Sequence, residues 1–63
     1  MPWSLWDYPP SMRHLGEAAR AKAIEIANAL LAEGMEEGQA IRIAIAQARR
    51  WAVARGLAER DDD

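Results

Sequence analysis

Two long helix-forming runs separated by a glycine constrain the fold of this chain more than any other feature. Residues 17–33 and 36–55 are rich in alanine, which has the highest helix propensity of any residue. Gly34 lies between the runs and Gly56 follows the second, and glycine at such positions commonly ends helices. The short Glu33-Gly34-Met35 connection predicts that the two helices fold back as an antiparallel hairpin.

Each predicted helix is amphipathic, with small and branched apolar residues on one arc at 100° per residue. The arc of the first helix comprises Ala19, Ala23, Ile26, Ala27, Leu30 and Leu31, with Ile24 at its margin. The arc of the second comprises Ala40, Ile41, Ala44, Ile45, Ala48, Trp51 and Ala52. We place Asn28 on the solvated side of the first helix, with Glu25 and Lys22. The second arc is wider than one partner helix can cover.

The N-terminal segment is aromatic and contains proline, and it is the natural cover for the remaining apolar surface. Because proline suits the first turn of a helix, we predict a short helix or helical turn over residues 9–15. Packing across the hairpin is expected from Met12 and Leu15, together with Trp3, Trp6 or Tyr8. The predicted fold is therefore all-α with three helices, in a single domain over residues 1–56, followed by a flexible acidic tail over 57–63.

Composition excludes several means of stabilisation and several partners. The 63 residues include no cysteine and one histidine, so helix packing or self-association must support this small domain. A net charge of −2 gives no general attraction to nucleic acid or to an anionic membrane surface. No signal peptide and no apolar stretch of 18 residues is evident, so we expect a cytoplasmic protein without a membrane partner.

Candidate chemistry is sparse. Ser11 and His14 are spaced i, i+3, but nothing supplies the third group of a catalytic triad, and Ser11 serves equally well as a helix cap. Glu33, Glu36 and Glu37 cluster at the turn without the alternating oxygen ligands of a calcium loop. We therefore predict no enzyme activity, no cofactor, no metal site and no small-molecule substrate.

Nucleic-acid binding is the alternative hypothesis, because two helices joined by a glycine-containing turn are the outline of a helix-turn-helix motif. The second helix would present Gln39, Arg42 and Arg49 to DNA. However, Glu36 and Glu37 lie at the end of the helix that contacts bases in the usual docking, where carboxylates would face phosphates.

A protein–protein interaction or regulatory module is the leading hypothesis. Ile43 and Val53 project away from the main apolar arc of the second helix. Together with Ala46 and Arg50 they form the predicted partner surface, and the partner is either another protein or a second copy in a homodimer.

Several sequence runs resemble those of short bacterial proteins of unknown function. The chain begins Met-Pro-Trp and continues with Asp-Tyr-Pro-Pro-Ser-Met at 7–12; KAIEIANA follows at 22–29 and EGQAIRIA at 37–44, with a tryptophan at 51. The N-terminal pattern is also distantly similar to the ChaB family of cation-transport regulators. The resemblance implies a small, helical, cytoplasmic bacterial protein, in some cases joined to other small domains, and implies no activity or site residues.

Overall fold

The computed structural model describes residues 3–56, which form a helical hairpin with an N-terminal segment packed against it. The elements are a 3₁₀ turn at Pro10–Met12, helix α1 at Glu17–Ala32 and helix α2 at Glu37–Ala54. Lys22 in α1 lies 5.4 Å from the ring centroid of Trp51 near the end of α2, as the antiparallel arrangement requires. The predicted hairpin is confirmed, whereas the predicted acidic tail at 57–63 lies outside the described residues.

The turn between the helices is set by glycine. Gly34 has φ +97°, and its N–H donates to the Leu31 carbonyl at 2.9 Å while the Met35 N–H donates to the Leu30 carbonyl at 3.1 Å. These two bonds are those of the Schellman motif, which satisfies carbonyls at the end of a helix. Helix α2 then begins at once, because the Glu36 carboxylate accepts a bond from the Gln39 N–H at 3.1 Å.

The contact between the helices is built almost wholly from alanine. Alanines at every fourth position of both helices have at most 1 % of their surface exposed: Ala19, Ala23 and Ala27 in α1, and Ala40, Ala44, Ala48 and Ala52 in α2. Ile24 is buried beside this stripe, and the other branched and aromatic residues of the predicted arcs flank it in half-buried positions. Methyl groups allow close approach but fill little volume, so the bulk of the core must come from elsewhere.

The N-terminal segment supplies that bulk. Met12 is the largest side chain that is fully buried, and Leu15 is only 3 % exposed. Trp3 and Tyr8 are half-buried and pack against the same core. The predicted cover over the hairpin is therefore confirmed for Met12, Leu15, Trp3 and Tyr8.

The prediction of a short helix or helical turn over residues 9–15 is confirmed only in part, because the structure forms the 3₁₀ turn Pro10–Met12 there and no third α-helix among residues 3–56. Gly16 follows in an extended conformation (φ −61°, ψ 162°), so the turn cannot continue into α1. Arg20 substitutes for the missing helical bonds, since its guanidinium donates to the carbonyls of Met12, Arg13 and Leu15 at 3.3, 3.2 and 2.9 Å. A nucleus this short is unfavourable without such tertiary support.

The solvated position predicted for Asn28 is also wrong. Asn28 is 5 % exposed, and its side chain exchanges two hydrogen bonds with the backbone of Trp3. The Trp3 N–H donates to Oδ1 at 3.3 Å, and Nδ2 donates to the Trp3 carbonyl at 3.1 Å. Trp3 lies outside any helix, so the Asn28 amide satisfies the backbone N–H and carbonyl that no regular element would pair.

Candidate interaction site

A tight turn at residues 4–7 projects two apolar side chains into solvent. Ser4 and Asp7 exchange backbone hydrogen bonds of 3.0 and 3.2 Å, and the Ser4 hydroxyl accepts from the Trp6 N–H at 3.2 Å. Leu5 is 50 % exposed and Trp6 is 89 % exposed. We call Leu5, Trp6 and the exposed Asp7 the tip. A tryptophan this exposed has no packing role within the domain.

The tip is held in place from both sides. On one side, Trp3 is bonded to Asn28 of α1 through two backbone contacts. On the other side, the Arg20 guanidinium lies 4.9 Å from the ring centroid of Tyr8 and also holds the 3₁₀ turn. The tip is therefore a constrained projection on the hairpin.

The predicted partner surface lies on the outer side of α2. Ala46, Arg50 and Val53 are exposed, with Val53 at 67 %, and Ile43 is half-buried. At 100° per residue these four residues fall within one third of the helix circumference, so they share a face. Use of these residues in binding stays a prediction.

A shallow depression lies at the C-terminal end of this face. Arg49, Arg50, Val53 and Ala54 line a volume of about 360 Å³, and we call these four residues the α2 patch. The lining is almost entirely apolar, as expected where arginines line a surface with their methylene chains. Two of its members, Arg50 and Val53, belong to the predicted surface.

The body of α2 carries charge of one sign. Residues 38–55 contain four arginines and no acidic residue. Arg42, Arg49, Arg50 and Arg55 are all exposed, and Arg55 also lies 5.3 Å from the ring centroid of Trp51. The face around the α2 patch is therefore basic in a chain whose net charge is −2.

The residues with potential for other chemistry lie at the surface. Ser11 and His14 are exposed, as are Glu33, Glu36 and Glu37, of which Glu36 caps α2. Between residues 3 and 56, no group of three or more His, Asp or Glu side chains is placed to hold a metal ion. Neither α1 nor α2 is long and apolar enough to cross a membrane.

Sequence reasoning misses the tip, because it groups Trp6 with Trp3 and Tyr8 as cover for the hairpin. The signal that separates Trp6 from them is its position between Ser4 and Asp7, two residues that favour tight turns. In a turn of this kind the side chains of the two central residues, here Leu5 and Trp6, project outward from the flanking residues.

The fold and surfaces together define a small all-α hairpin domain with an N-terminal segment that completes its core. The chain is similar to the uncharacterized protein YdaT of Bacillus subtilis (strain 168), with 52 % identity over 62 residues. That alignment includes 98 % of this chain, while the chain spans 41 % of the length of this curated relative. No family model matches the chain, so the similarity to the ChaB family stays a prediction. No solved structure matches it.

Proposed function

We propose that this chain is a non-enzymatic protein–protein interaction module and that the α2 patch is its principal contact. The observation that carries the proposal is Val53, which is 67 % exposed within an apolar depression between Arg49 and Arg50. Interfaces commonly combine an apolar centre with a polar rim and are enriched in arginine. The proposal places the module in the cytoplasm, which suits an acidic chain without cysteine.

The domain does not need this surface in order to fold. The α2 face that packs against α1 and the N-terminal segment uses Ala44, Ala48 and Ala52, on the opposite side from Val53. Val53 and Arg50 are exposed and are free to evolve for binding, since surface substitutions usually change stability by no more than about 0.5 kcal/mol.

Site-specific photo-crosslinking in the organism that encodes the chain tests the proposal. A photoreactive phenylalanine analogue replaces Val53 in one variant and Glu25, exposed on α1, in a matched control. We expect discrete covalent adducts from position 53, and we expect Arg50→Glu in the same chain to reduce them. Equal adduct patterns from positions 53 and 25, or none from position 53, would contradict the proposal.

Nucleic-acid binding through Arg42 and Arg49 is a second candidate function. It is favoured by the run of four exposed arginines without an acidic residue in 38–55. Binding to duplex DNA at low salt, weakened by Arg42→Glu and falling steeply with added salt, would support it, because phosphate contacts release counterions. Absence of binding at low salt would exclude it.

A further inference from the structure

The exposed tip and the α2 patch have complementary chemistry. Resting on the proposed function, we infer that the occupant of the α2 patch is the tip of a second copy of this chain. Trp6 of one copy inserts against Val53 and Ala54 of the other, and Asp7 faces the arginines of the patch. Two copies that exchange tips in both directions form a closed dimer of two-fold symmetry, the commonest arrangement of homo-oligomers.

The aromatic contact is the first argument. Trp6 is the most exposed large apolar side chain among the described residues, and the α2 patch is an apolar depression that two arginines help to line. An indole is the best aromatic partner for a cation above its ring. Tryptophan and arginine are also among the side chains most enriched at the energetic centres of interfaces.

Charge complementarity is the second argument. Asp7 is exposed directly beside Trp6 in the chain, and Arg49 and Arg50 are exposed members of the α2 patch. Because α2 carries no acidic residue after Glu37, a carboxylate that arrives with the tip meets only positive charge along this helix. The tip of a second copy therefore carries an apolar side chain and an adjacent carboxylate, which complement the apolar lining and the arginines of the α2 patch.

The third argument is that both surfaces are ready to bind but do not bind each other within one copy. Trp6 is 89 % and Val53 is 67 % exposed in the single chain, so neither covers the other. The tip is constrained by the Ser4–Asp7 turn and by Asn28, so little conformational entropy is lost when it docks. A chain of 63 residues with an alanine seam also gains stability from association.

Sedimentation equilibrium over a concentration series tests the inference on the full chain. We expect a dimer whose dissociation constant rises at least about tenfold with Trp6→Ala and with Val53→Glu. Both positions are exposed, so circular dichroism should show unchanged helix in each variant. Ala29→Glu, a change of the same kind as Val53→Glu on the exposed side of α1, is the matched control and should leave the dimer intact.

Mixing the two variants provides the sharper result. Trp6→Ala retains an intact α2 patch, and Val53→Glu retains an intact tip, so an equimolar mixture should form a heterodimer through one contact. Neither variant alone should form a comparable dimer. Asp7→Arg should weaken the dimer, and combining it with Arg50→Asp should restore part of the affinity by reversing both charges.

A monomer at every concentration up to about 1 mM would overturn the inference. A dimer whose dissociation constant is unchanged by Trp6→Ala and Val53→Glu would also overturn it. The crosslinking experiment separates this failure from failure of the proposed function. Adducts from position 53 that contain only other proteins would support the function and overturn self-association. Adducts of twice the chain mass, mapped to residues 3–9 of the second copy, would support both.

Discussion

Met12→Ala should remove between about a third and all of the stability of this domain. Met12 is fully buried, and most of the buried residues of its core are alanines from both helices. Alanine has no side-chain torsion that could turn into the vacated space, so we expect a loss of about 3–4 kcal/mol, within the range of about 2–5 kcal/mol for such truncations. The total free energy of unfolding of a domain of 63 residues is about 3–9 kcal/mol.

Thermal and urea unfolding, followed by circular dichroism in the far ultraviolet, measure this loss. At about 4–8 °C per kcal/mol for a domain of this size, Tm should fall by about 12–30 °C. Met12→Leu keeps most of the volume and should cost less than about 1.5 kcal/mol. Leu5→Ala removes similar apolar bulk from a side chain that is 50 % exposed, and it should cost no more than about 0.5 kcal/mol at protein concentrations below association.

A specific result would refute this reasoning. If Met12→Ala leaves Tm within a few degrees of the unmodified chain, the alanine-lined hairpin is stable without bulk from the N-terminal segment. The same conclusion would follow if the helical signal persists while tryptophan fluorescence shows that the segment around Trp3 has detached. Either result would mean that the segment is an appendage rather than part of the core.

Three further predictions concern the backbone. Asn28→Leu removes both hydrogen bonds to Trp3, and it should cost about 1–3 kcal/mol and speed hydrogen exchange of the Trp3 amide; unchanged exchange would contradict the pairing. Gly34→Ala should lower the free energy of unfolding by about 1–2 kcal/mol, because the φ of Gly34 is +97°. Gly38→Ala should raise it by about 0.4–1 kcal/mol, because the added Cβ would meet only ordinary contacts. Chemical denaturation that gives both substitutions the same sign would contradict the different roles assigned to the two glycines. Arg20→Lys keeps the charge but cannot reach three carbonyls, so about 1–2 kcal/mol should be lost even at high salt, and a loss that disappears with salt would indicate a merely electrostatic role.

The hairpin could be predicted because its signals are local. The alanine-rich periodicity and the glycine at 34 each act within a few residues, and the alanines of both predicted arcs are buried as expected. The outer face of α2 could be predicted for the same reason, since the position of Val53 follows from helical geometry once the buried arc is known. At 9–15 only a 3₁₀ turn forms, because the proline placement that favours a helix there does not account for the extended conformation of Gly16.

Only one of the two parts of the candidate interaction site, the α2 patch, could be predicted from the sequence. The α2 patch is formed by neighbours on one helix, so its members could be named in part from spacing alone. The tip could not, because whether Trp3 or Trp6 packs inward depends on a hydrogen bond to Asn28, 25 residues away from Trp3 in the chain.

The sequence by itself determined two amphipathic helices, their glycine-terminated turn and their antiparallel pairing, because these follow from short-range propensity and periodicity. Only the tertiary structure decided how the N-terminal segment completes the core and which tryptophan faces solvent. Those outcomes depend on where this segment, whose sequence has no regular apolar periodicity, finds hydrogen bonds and space. In this chain it finds them at Asn28, at Arg20 and in the volume that an alanine seam leaves for Met12.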